Sequence, residues 1–270
     1  MREIDTIIDK PSDLLNPELR ELTDYLEPED IKRFLFIVKH LPTSSTPLRV
    51  LDVGCGNGHI SRGLARLGHE VVGIDIDSDS ITKAKSEVGD IAKFMVLDTR
   101  DLDTQFEENY FDTIICSEVL EHLPDPRLLL DQLLPFLKTG ATLIITTPNG
   151  FGPRETTVTK PVQALYKMGF GKIIMLLKRA LGYKGATAQS SNPDLTHIQF
   201  FRKKELEEII INSGNLQLTE WANANYVEKA LPQSLWIKGS MEAKAKDCIK
   251  ADNLKPEKAS GWNTAWRKLS

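Results

Sequence analysis

From Leu48 onward, short apolar runs alternate with amphipathic stretches. Runs of five or six residues rich in valine and isoleucine predict strands buried on both faces, and apolar residues recurring every three or four positions predict helices. The predicted strands are Arg49–Val53, Glu70–Ile74, Ala92–Leu97, Phe111–Cys116 and Ala141–Thr146. The predicted helices are Pro28–His40, Ile60–Leu67, Ser80–Val88 and Pro126–Leu137. This alternation indicates βαβ units, and so an α/β domain with a mainly parallel sheet.

The alternation stops at Thr147 and resumes about fifty residues later, which is longer than a structureless loop in a compact domain. We therefore interpret residues 151–195 as an inserted cap. Beyond the cap, the pattern predicts the helix Lys203–Ser213 and the strands Leu216–Asn225 and Gly261–Lys268. The predicted organisation is an N-terminal helical segment (1–47), a core (48–150), the cap (151–195) and the C-terminal part of the core (196–270).

The composition is that of a soluble protein, with 41% hydrophobic and 27% charged residues in 270. No segment approaches the roughly 20 apolar residues of a membrane-spanning helix, and residues 1–13 lack the apolar stretch of a signal peptide. We therefore expect a cytoplasmic protein. Three widely separated cysteines, Cys55, Cys116 and Cys248, predict buried reduced thiols rather than disulfides or a zinc site.

A glycine-rich turn follows the first predicted strand, in the segment Asp52-Val53-Gly54-Cys55-Gly56-Asn57-Gly58. Glycines let the backbone turn tightly and approach a ligand where a Cβ atom would clash. The dinucleotide fingerprint needs its third glycine one place later, at the position of His59. The turn alone is also compatible with a plain tight turn in another doubly wound fold.

The second predicted strand runs into Asp75, Ile76 and Asp77. Ligands of open α/β sheets bind at the carboxyl ends of the strands, where a carboxylate such as Asp75 can accept hydrogen bonds from both ribose hydroxyls. Ile76 is placed to pack on an adenine face. The alternative is that these acids only cap the following helix, a role we assign to Asp77.

These segments resemble the first two motifs of the class I S-adenosylmethionine-dependent methyltransferases. Three more resemblances follow in order: Asp98 and Thr99 after the third strand, Cys116 and Ser117 at the end of the fourth, and Leu137-Lys138-Thr139-Gly140 before the fifth. The resemblance implies a Rossmann-like, doubly wound sheet of seven strands, mainly parallel with an antiparallel C-terminal strand. The cofactor-binding residues that it implies are Asp52, Gly54, Cys55, Gly56, Gly58, Asp75, Ile76, Asp98, Thr99, Cys116 and Ser117.

A methyltransferase passes the methyl group to an acceptor molecule. Two histidines are candidates for removing a proton from this acceptor. His122 follows the fourth strand, and His197 lies where the chain returns from the cap. Both should lie on the acceptor side, where an imidazole can act as a general base. Each could instead only order its own loop. Glu118 and Glu121 form no recognisable metal motif with these histidines, so we predict no metal site.

The layout of core, cap and Thr196-His197 is similar to that of the ubiquinone-biosynthesis O-methyltransferases. The resemblance implies a small-molecule or lipid-like acceptor methylated at a hydroxyl or carboxyl oxygen, although a quinone substrate does not follow. The fourth strand lacks the Asn/Asp-Pro-Pro-aromatic sequence typical of amine and amide methylation. An acidic chain without a basic aromatic platform also argues against duplex nucleic acid. Two alternatives remain: an adenosylmethionine-binding protein without turnover, and an NAD-linked oxidoreductase.

The net charge of −4 is unevenly distributed: residues 156–193 carry six basic and no acidic side chains. Within them, Lys172–Leu181 has an apolar face opposite Lys172, Lys178 and Arg179. A basic amphipathic helix can lie on an anionic membrane, or it can cover the active site with its lysines solvated. Residues 156–193 therefore suggest peripheral membrane contact as one of two interpretations.

Overall fold

Seven strands form one sheet in the order β3-β2-β1-β4-β5-β7-β6. The computed structural model describes residue 4 and residues 6–165, 168–169, 197–226 and 240–269. Strands β1 to β5 are parallel, whereas β7 runs antiparallel to both of its neighbours. The strands are β1 (Arg49–Val53), β2 (Glu70–Asp75), β3 (Lys93–Val96), β4 (Phe111–Ser117), β5 (Leu137–Pro148), β6 (Leu216–Asn223) and β7 (Gly261–Lys268). The predicted Rossmann-like fold is confirmed, including its antiparallel C-terminal strand.

The helices cover both faces of the sheet. They are α1 (Pro17–Thr23), α2 (Pro28–Lys39), α3 (His59–Arg66), α4 (Ser78–Val88), α5 (Pro126–Leu133), α6 (Lys160–Leu165), α7 (Lys203–Ser213) and α8 (Met241–Asp252). One prediction was wrong at its end: α5 stops at Leu133, not at Leu137. Pro135 has no N–H to continue the helical hydrogen bonds, and the chain passes into the short 3-10 segment Leu134–Phe136.

Alternate residues of the central strands point to opposite faces, and each face has its own buried cluster. Leu51, Ile114 and Leu143 pack on one side with residues of α5 and α7. Val50, Ile115 and Ile144 pack on the other with residues of α2, α3 and α8. The sheet is therefore covered on both sides, and its edge at the carboxyl ends of the parallel strands is the place where such folds bind ligands.

The described part of the predicted cap begins with a π-helical turn, Glu155–Thr159, which continues into α6. The predicted basic amphipathic helix Lys172–Leu181 lies outside the described residues, as does Thr196. Strands β6 and β7, which follow the cap in sequence, add to the same sheet as β1 to β5. Within the part of the chain that the structure describes, no helix has the length and apolar character that spanning a bilayer requires.

Candidate functional site

The glycine turn between β1 and α3 adopts backbone conformations that favour glycine. Gly54, Gly56 and Gly58 have φ values of 65°, 52° and 82°, in the left-handed region that other residues rarely adopt. A Cβ atom on Gly54 would lie 2.6 Å from Val119 Cγ2, and one on Gly58 would lie 2.8 Å from Phe94 Cζ. The turn therefore depends on its glycines for its own conformation.

Asp75 ties the end of β2 to this turn. Its Oδ2 accepts a hydrogen bond from the Gly56 N–H at 2.9 Å, and its Oδ1 accepts one from the Asp77 N–H at 2.9 Å. A carboxylate has about four acceptor positions, so both oxygens can still accept hydroxyl donors. Ile76, next to it, is 75% exposed. A fixed carboxylate beside an uncovered apolar side chain fits the ribose and base of an adenosine.

Asp77 caps α4, because its Oδ2 accepts the Ser80 N–H at 3.0 Å, which confirms the predicted capping role, whereas ribose binding by Asp75 stays a prediction. Asp98 stands at the end of β3, where Arg100 holds it through its backbone and its guanidinium. These bonds to Arg100 lower the pKa of Asp98. Thr99 donates a hydrogen bond to Gln132 Oε1 at 2.6 Å. Adenine binding by Asp98 and Thr99 stays a prediction.

Asp52 is buried at the end of β1. It accepts a hydrogen bond from Ser61 Oγ at 2.7 Å, which fastens β1 to α3. Burial raises the pKa of Asp52 to about 7. Burial also raises the pKa of the Cys55 thiol. The hydrogen bond to Asp52 therefore supports the turn, and cofactor binding at Asp52 and Cys55 stays a prediction.

Cys116 and Ser117 end β4 beside β1 and β5. The Cys116 side chain is fully buried, and this burial raises its pKa, so only its backbone is available to a ligand. Ser117 Oγ lies 2.9 Å from Thr146 Oγ1 on β5. Glu118 follows with a φ of 57°, and its Oε1 lies 3.8 Å from the guanidinium of buried Arg33 on α2. The N-terminal helices therefore reach the carboxyl end of β4.

The two predicted histidines contact each other beyond the end of β4. The His122 and His197 rings have centroids 5.1 Å apart in an edge-to-face arrangement. Glu121 Oε1 lies 3.8 Å from His122 Nε2, and the N–H groups of Ile198 and Gln199 both donate to the Glu121 carbonyl. These contacts hold the returning chain against the segment that follows β4.

Two acids of this region were not anticipated as site residues. Glu121 is 1% exposed, and burial together with nearby Glu118 raises its pKa well above the usual value. Glu155, in the π-helical turn, places Oε1 3.3 Å from His197 Nδ1. Glu121, His122 and His197 each offer a ligand atom within 4.8 Å of the others, a set that could hold a metal ion. No local signal marks Glu155, because its partner is far away in sequence.

The strand order, the glycine turn after β1 and the acid after β2 together define a Rossmann-like protein with a nucleoside site. The family model described as "Methyltransferase domain" matches residues 20–218. The chain therefore belongs to this methyltransferase family and is an S-adenosylmethionine-dependent methyltransferase. This assignment favours methyl transfer over both alternatives, binding without turnover and NAD-linked oxidation.

Relatives support the assignment at different levels of detail. A ubiquinone biosynthesis O-methyltransferase of Xanthomonas euvesicatoria pv. vesicatoria (strain 85-10) is 38% identical over 104 residues, covering 37% of this chain and 43% of the relative. The chain spans between 41% and 50% of the length of the curated relatives it matches.

Solved structures support the fold. A SAM-dependent methyltransferase from Methanosarcina mazei has a TM-score of 0.54 at 21% identity, with 86% of this chain and 97% of that one covered. The [4+2]-cyclase SpnF has a TM-score of 0.54 at 16% identity, with 95% and 93% covered. Likeness at this level of identity shows the fold alone, so the acceptor has to be argued from the site.

Proposed function

We propose that the protein transfers the methyl group to a hydroxyl or carboxyl oxygen of a small or lipid-like acceptor. The observation that carries the proposal is the pairing of His122 with His197 beside Glu121, just beyond the carboxyl end of β4. An oxygen acceptor benefits from groups that take or weaken its proton, and imidazole does so near neutral pH. The relatives named as O-methyltransferases support oxygen as the acceptor atom.

The protein has little covalent chemistry to perform. When bound, S-adenosylmethionine supplies an electrophilic methyl group, and the protein mainly has to align the acceptor and exclude water. We assign the adenosine part to the glycine turn, Asp75 and Ile76, with Asp98 and Thr99 at the adenine. We assign the methionine part to the backbone of Cys116 and Ser117. The acceptor oxygen then lies beside His122 and His197, which activate it.

The acceptor class can be tested with S-adenosylmethionine that carries a labelled methyl group. A panel of phenols, aliphatic alcohols and carboxylic acids should yield labelled product with at least one oxygen acceptor. Mild alkali separates the two oxygen classes, because it hydrolyses a methyl ester and leaves a methyl ether intact. Label that appears only on nitrogen or carbon acceptors would contradict the proposal.

A lipid-like acceptor is supported by the surface around the cap. Four large apolar side chains are exposed at its described edges: Phe151, Leu165, Met168 and Ile198. Two cations lie close to the Phe151 ring, with Lys160 Nζ 3.8 Å and the Arg202 guanidinium 4.2 Å from its centroid. Exposed apolar side chains next to basic ones are typical of surfaces that bind anionic lipid. We therefore propose peripheral membrane contact through residues 156–193.

Co-sedimentation with vesicles tests this contact. Each basic residue near an anionic surface contributes about 1 kcal/mol, and salt screens the attraction. Binding should therefore require acidic lipid, fall as salt is added, and drop sharply when Lys172, Lys178 and Arg179 are replaced by glutamate. Replacing the lysines of α7 at positions 203 and 204 in the same way provides the control. The absence of lipid-dependent binding at low salt would overturn the membrane contact and leave the cap as a lid.

A further inference from the structure

A buried carboxylate faces one of the two histidines. Glu155 is 0% exposed and lies in the π-helical turn with which the described part of the cap begins. Its Oε1 lies 3.3 Å from His197 Nδ1. Within the residues that the structure describes, no aligned hydrogen bond reaches either carboxylate oxygen of Glu155. A buried acid without a partner is costly, so the imidazole of His197 is the partner that the fold brings to it.

The contact between Glu155 and His197 is at hydrogen-bond distance but is not aligned as a hydrogen bond. A rotation of the imidazole would align it, and the hydrogen bonds of catalytic groups often tighten only when the substrate binds. A neutral histidine that donates its Nδ1–H to a carboxylate carries no proton on Nε2. Glu155 is therefore placed to select the form of His197 in which Nε2 can accept a proton.

Contacts on both sides of His197 hold its backbone and its ring. Gln163 Nε2 donates to the His197 carbonyl at 2.9 Å, and the N–H of the next residue, Ile198, donates to the Glu121 carbonyl at 2.9 Å. The His122 ring packs edge-to-face against His197, with the centroids 5.1 Å apart. A base held in one orientation loses less entropy when the acceptor binds, which favours reaction.

The two histidines differ in how close an acid lies to the ring. Glu121 Oε1 lies 3.8 Å from His122 Nε2, which is beyond hydrogen-bond distance. In His197 the acid lies closer, at 3.3 Å, and faces the other ring nitrogen, Nδ1. An acid at Nδ1 leaves Nε2 to the acceptor, as in other enzymes whose histidine base is oriented by a carboxylate.

We propose that Glu155 is a positioning residue that holds the proton of His197 on Nδ1, so that His197 Nε2 is the base for a hydroxyl acceptor. This proposal rests on the proposed oxygen methylation. The hydroxyl proton moves to His197 Nε2 as the oxygen forms its bond to the methyl carbon. The carbon–sulfur bond breaks with its electron pair on sulfur, and nothing is oxidised or reduced. The imidazolium that results is stabilised by the Glu155 carboxylate, and its extra proton then passes to water.

Nitrogen NMR of the histidine rings tests the contact without any acceptor. The chain has five histidines, and the signals of His197 are identified by their loss in His197→Gln. At about pH 8.5, where an ordinary imidazole is neutral, we expect the proton of His197 on Nδ1. In Glu155→Gln this preference should be lost, because an amide can donate to Nδ1 as well as accept from it. His197 with its proton on Nε2 in the wild type, or unchanged in Glu155→Gln, would overturn the proposal.

Kinetics test whether the contact matters for turnover. Glutamine has nearly the shape of glutamate, so a side chain that only packs would tolerate Glu155→Gln. We expect this variant to lower kcat about 10²-fold, with the KM for S-adenosylmethionine within about twofold of the wild type. Glu155→Asp keeps the carboxylate and should recover part of the loss. Glu220→Gln is the matched control, because Glu220 also lies beside a histidine, with Oε2 3.1 Å from His40 Nε2, and should leave kcat unchanged.

A double-mutant cycle shows whether Glu155 acts through His197. In the His197→Gln background, adding Glu155→Gln should lower kcat by less than about threefold, because residues that act as a unit are not additive. Full additivity, or normal kcat in Glu155→Gln, would overturn the positioning role. A proton on Nδ1 that depends on Glu155, without methylation of any oxygen acceptor, would uphold the contact and contradict the proposed function.

Discussion

The cofactor half and the acceptor half of the site are built in different ways. In the cofactor half, residues that touch each other belong to consecutive strand ends: the Gly56 N–H donates to Asp75, and Cys55 N–H donates to the Ile74 carbonyl. In the acceptor half, contacts join distant segments: His122 follows β4, Glu155 begins the cap, and His197 follows it.

Amino-acid substitutions in the two halves should affect different properties of the enzyme. The cofactor half stands on rigid, parallel strands buried on both faces, so its geometry comes with the fold. The acceptor half forms only when the residues at both ends of the cap pack against the segment that follows β4. We therefore expect changes in the first half to act on cofactor affinity and changes in the second to act on turnover.

The strongest test of the cofactor half is Gly56→Val. Gly56 has a φ of 52°, which strains a β-branched residue, and its N–H donates to Asp75. We expect cofactor affinity measured by calorimetry to fall about 10³-fold or more, or about 4 kcal/mol, with circular dichroism unchanged.

Gly89→Val is the matched control, because Gly89 also has a positive φ of 71° and nothing lies within 4 Å of a Cβ atom there. It should cost stability through the same kind of strain and leave cofactor affinity intact. Equal affinities of the two variants would show that the turn does not contact the cofactor.

The acceptor half is tested with His122→Ala and His197→Ala. At least one of them should lower kcat about 10²-fold, because the general base that activates the acceptor oxygen is lost. Cofactor affinity should change little, since the two rings pack against each other and lie beside Glu121 and Glu155. Steady-state kinetics against His69→Gln as control measures the effect. Two variants of near-normal activity would favour a carboxylate acceptor, which needs no deprotonation.

The fold was accessible from sequence because its strands are short and buried. All seven predicted strands are present, and the bounds of β1 and β7 agree with the prediction. The prediction failed where two sequence features disagree. The apolar pattern of α5 continues through Pro135, but the α-helix itself ends at Leu133. The short helix α1 was not predicted, since its stability depends on packing against α3.

The candidate site divides in the same way. The predicted cofactor residues follow strand ends, so pattern, position and the family resemblance were enough to propose them. The meeting of His122 and His197 was expected from topology, but the part taken by Glu121 and Glu155 was not. Burial of a carboxylate and contact across the cap are tertiary facts. No spacing in the chain encodes them.

Substitution of the two aspartates at and just after the end of β2 in the cofactor half, Asp75 and Asp77, distinguishes cofactor binding from stabilisation of the fold. Asp75→Ala should weaken cofactor binding by about 1.5–3 kcal/mol, because hydrogen bonds to a charged group have this strength. Asp77→Ala is the control: it removes the cap of α4 and should cost about 1 kcal/mol of stability with cofactor affinity unchanged. Calorimetry and thermal unfolding measure the two effects. An unaltered affinity of Asp75→Ala would place the ribose contact elsewhere.

The role of Asp52 in supporting the glycine turn can be tested through the pH dependence of the free energy of unfolding. Burial raises the pKa of its carboxyl from 3.8 to about 7 in the folded protein. The folded state therefore binds this proton more tightly than the unfolded state, and the free energy of unfolding falls as pH rises from about 4 to about 7. For these two pKa values the loss between pH 5 and pH 7 is about 2 kcal/mol.

Asp52→Asn removes this titration while it keeps an oxygen that can accept the hydrogen bond from Ser61. Urea unfolding at several pH values should show that the variant gains stability relative to the wild type as pH rises through this window. Asp77→Asn retains a good helix cap and should follow the wild-type curve. Parallel curves for Asp52→Asn and the wild type would mean that Asp52 is ionised throughout. In that case its carboxylate would have to be stabilised by more than Ser61.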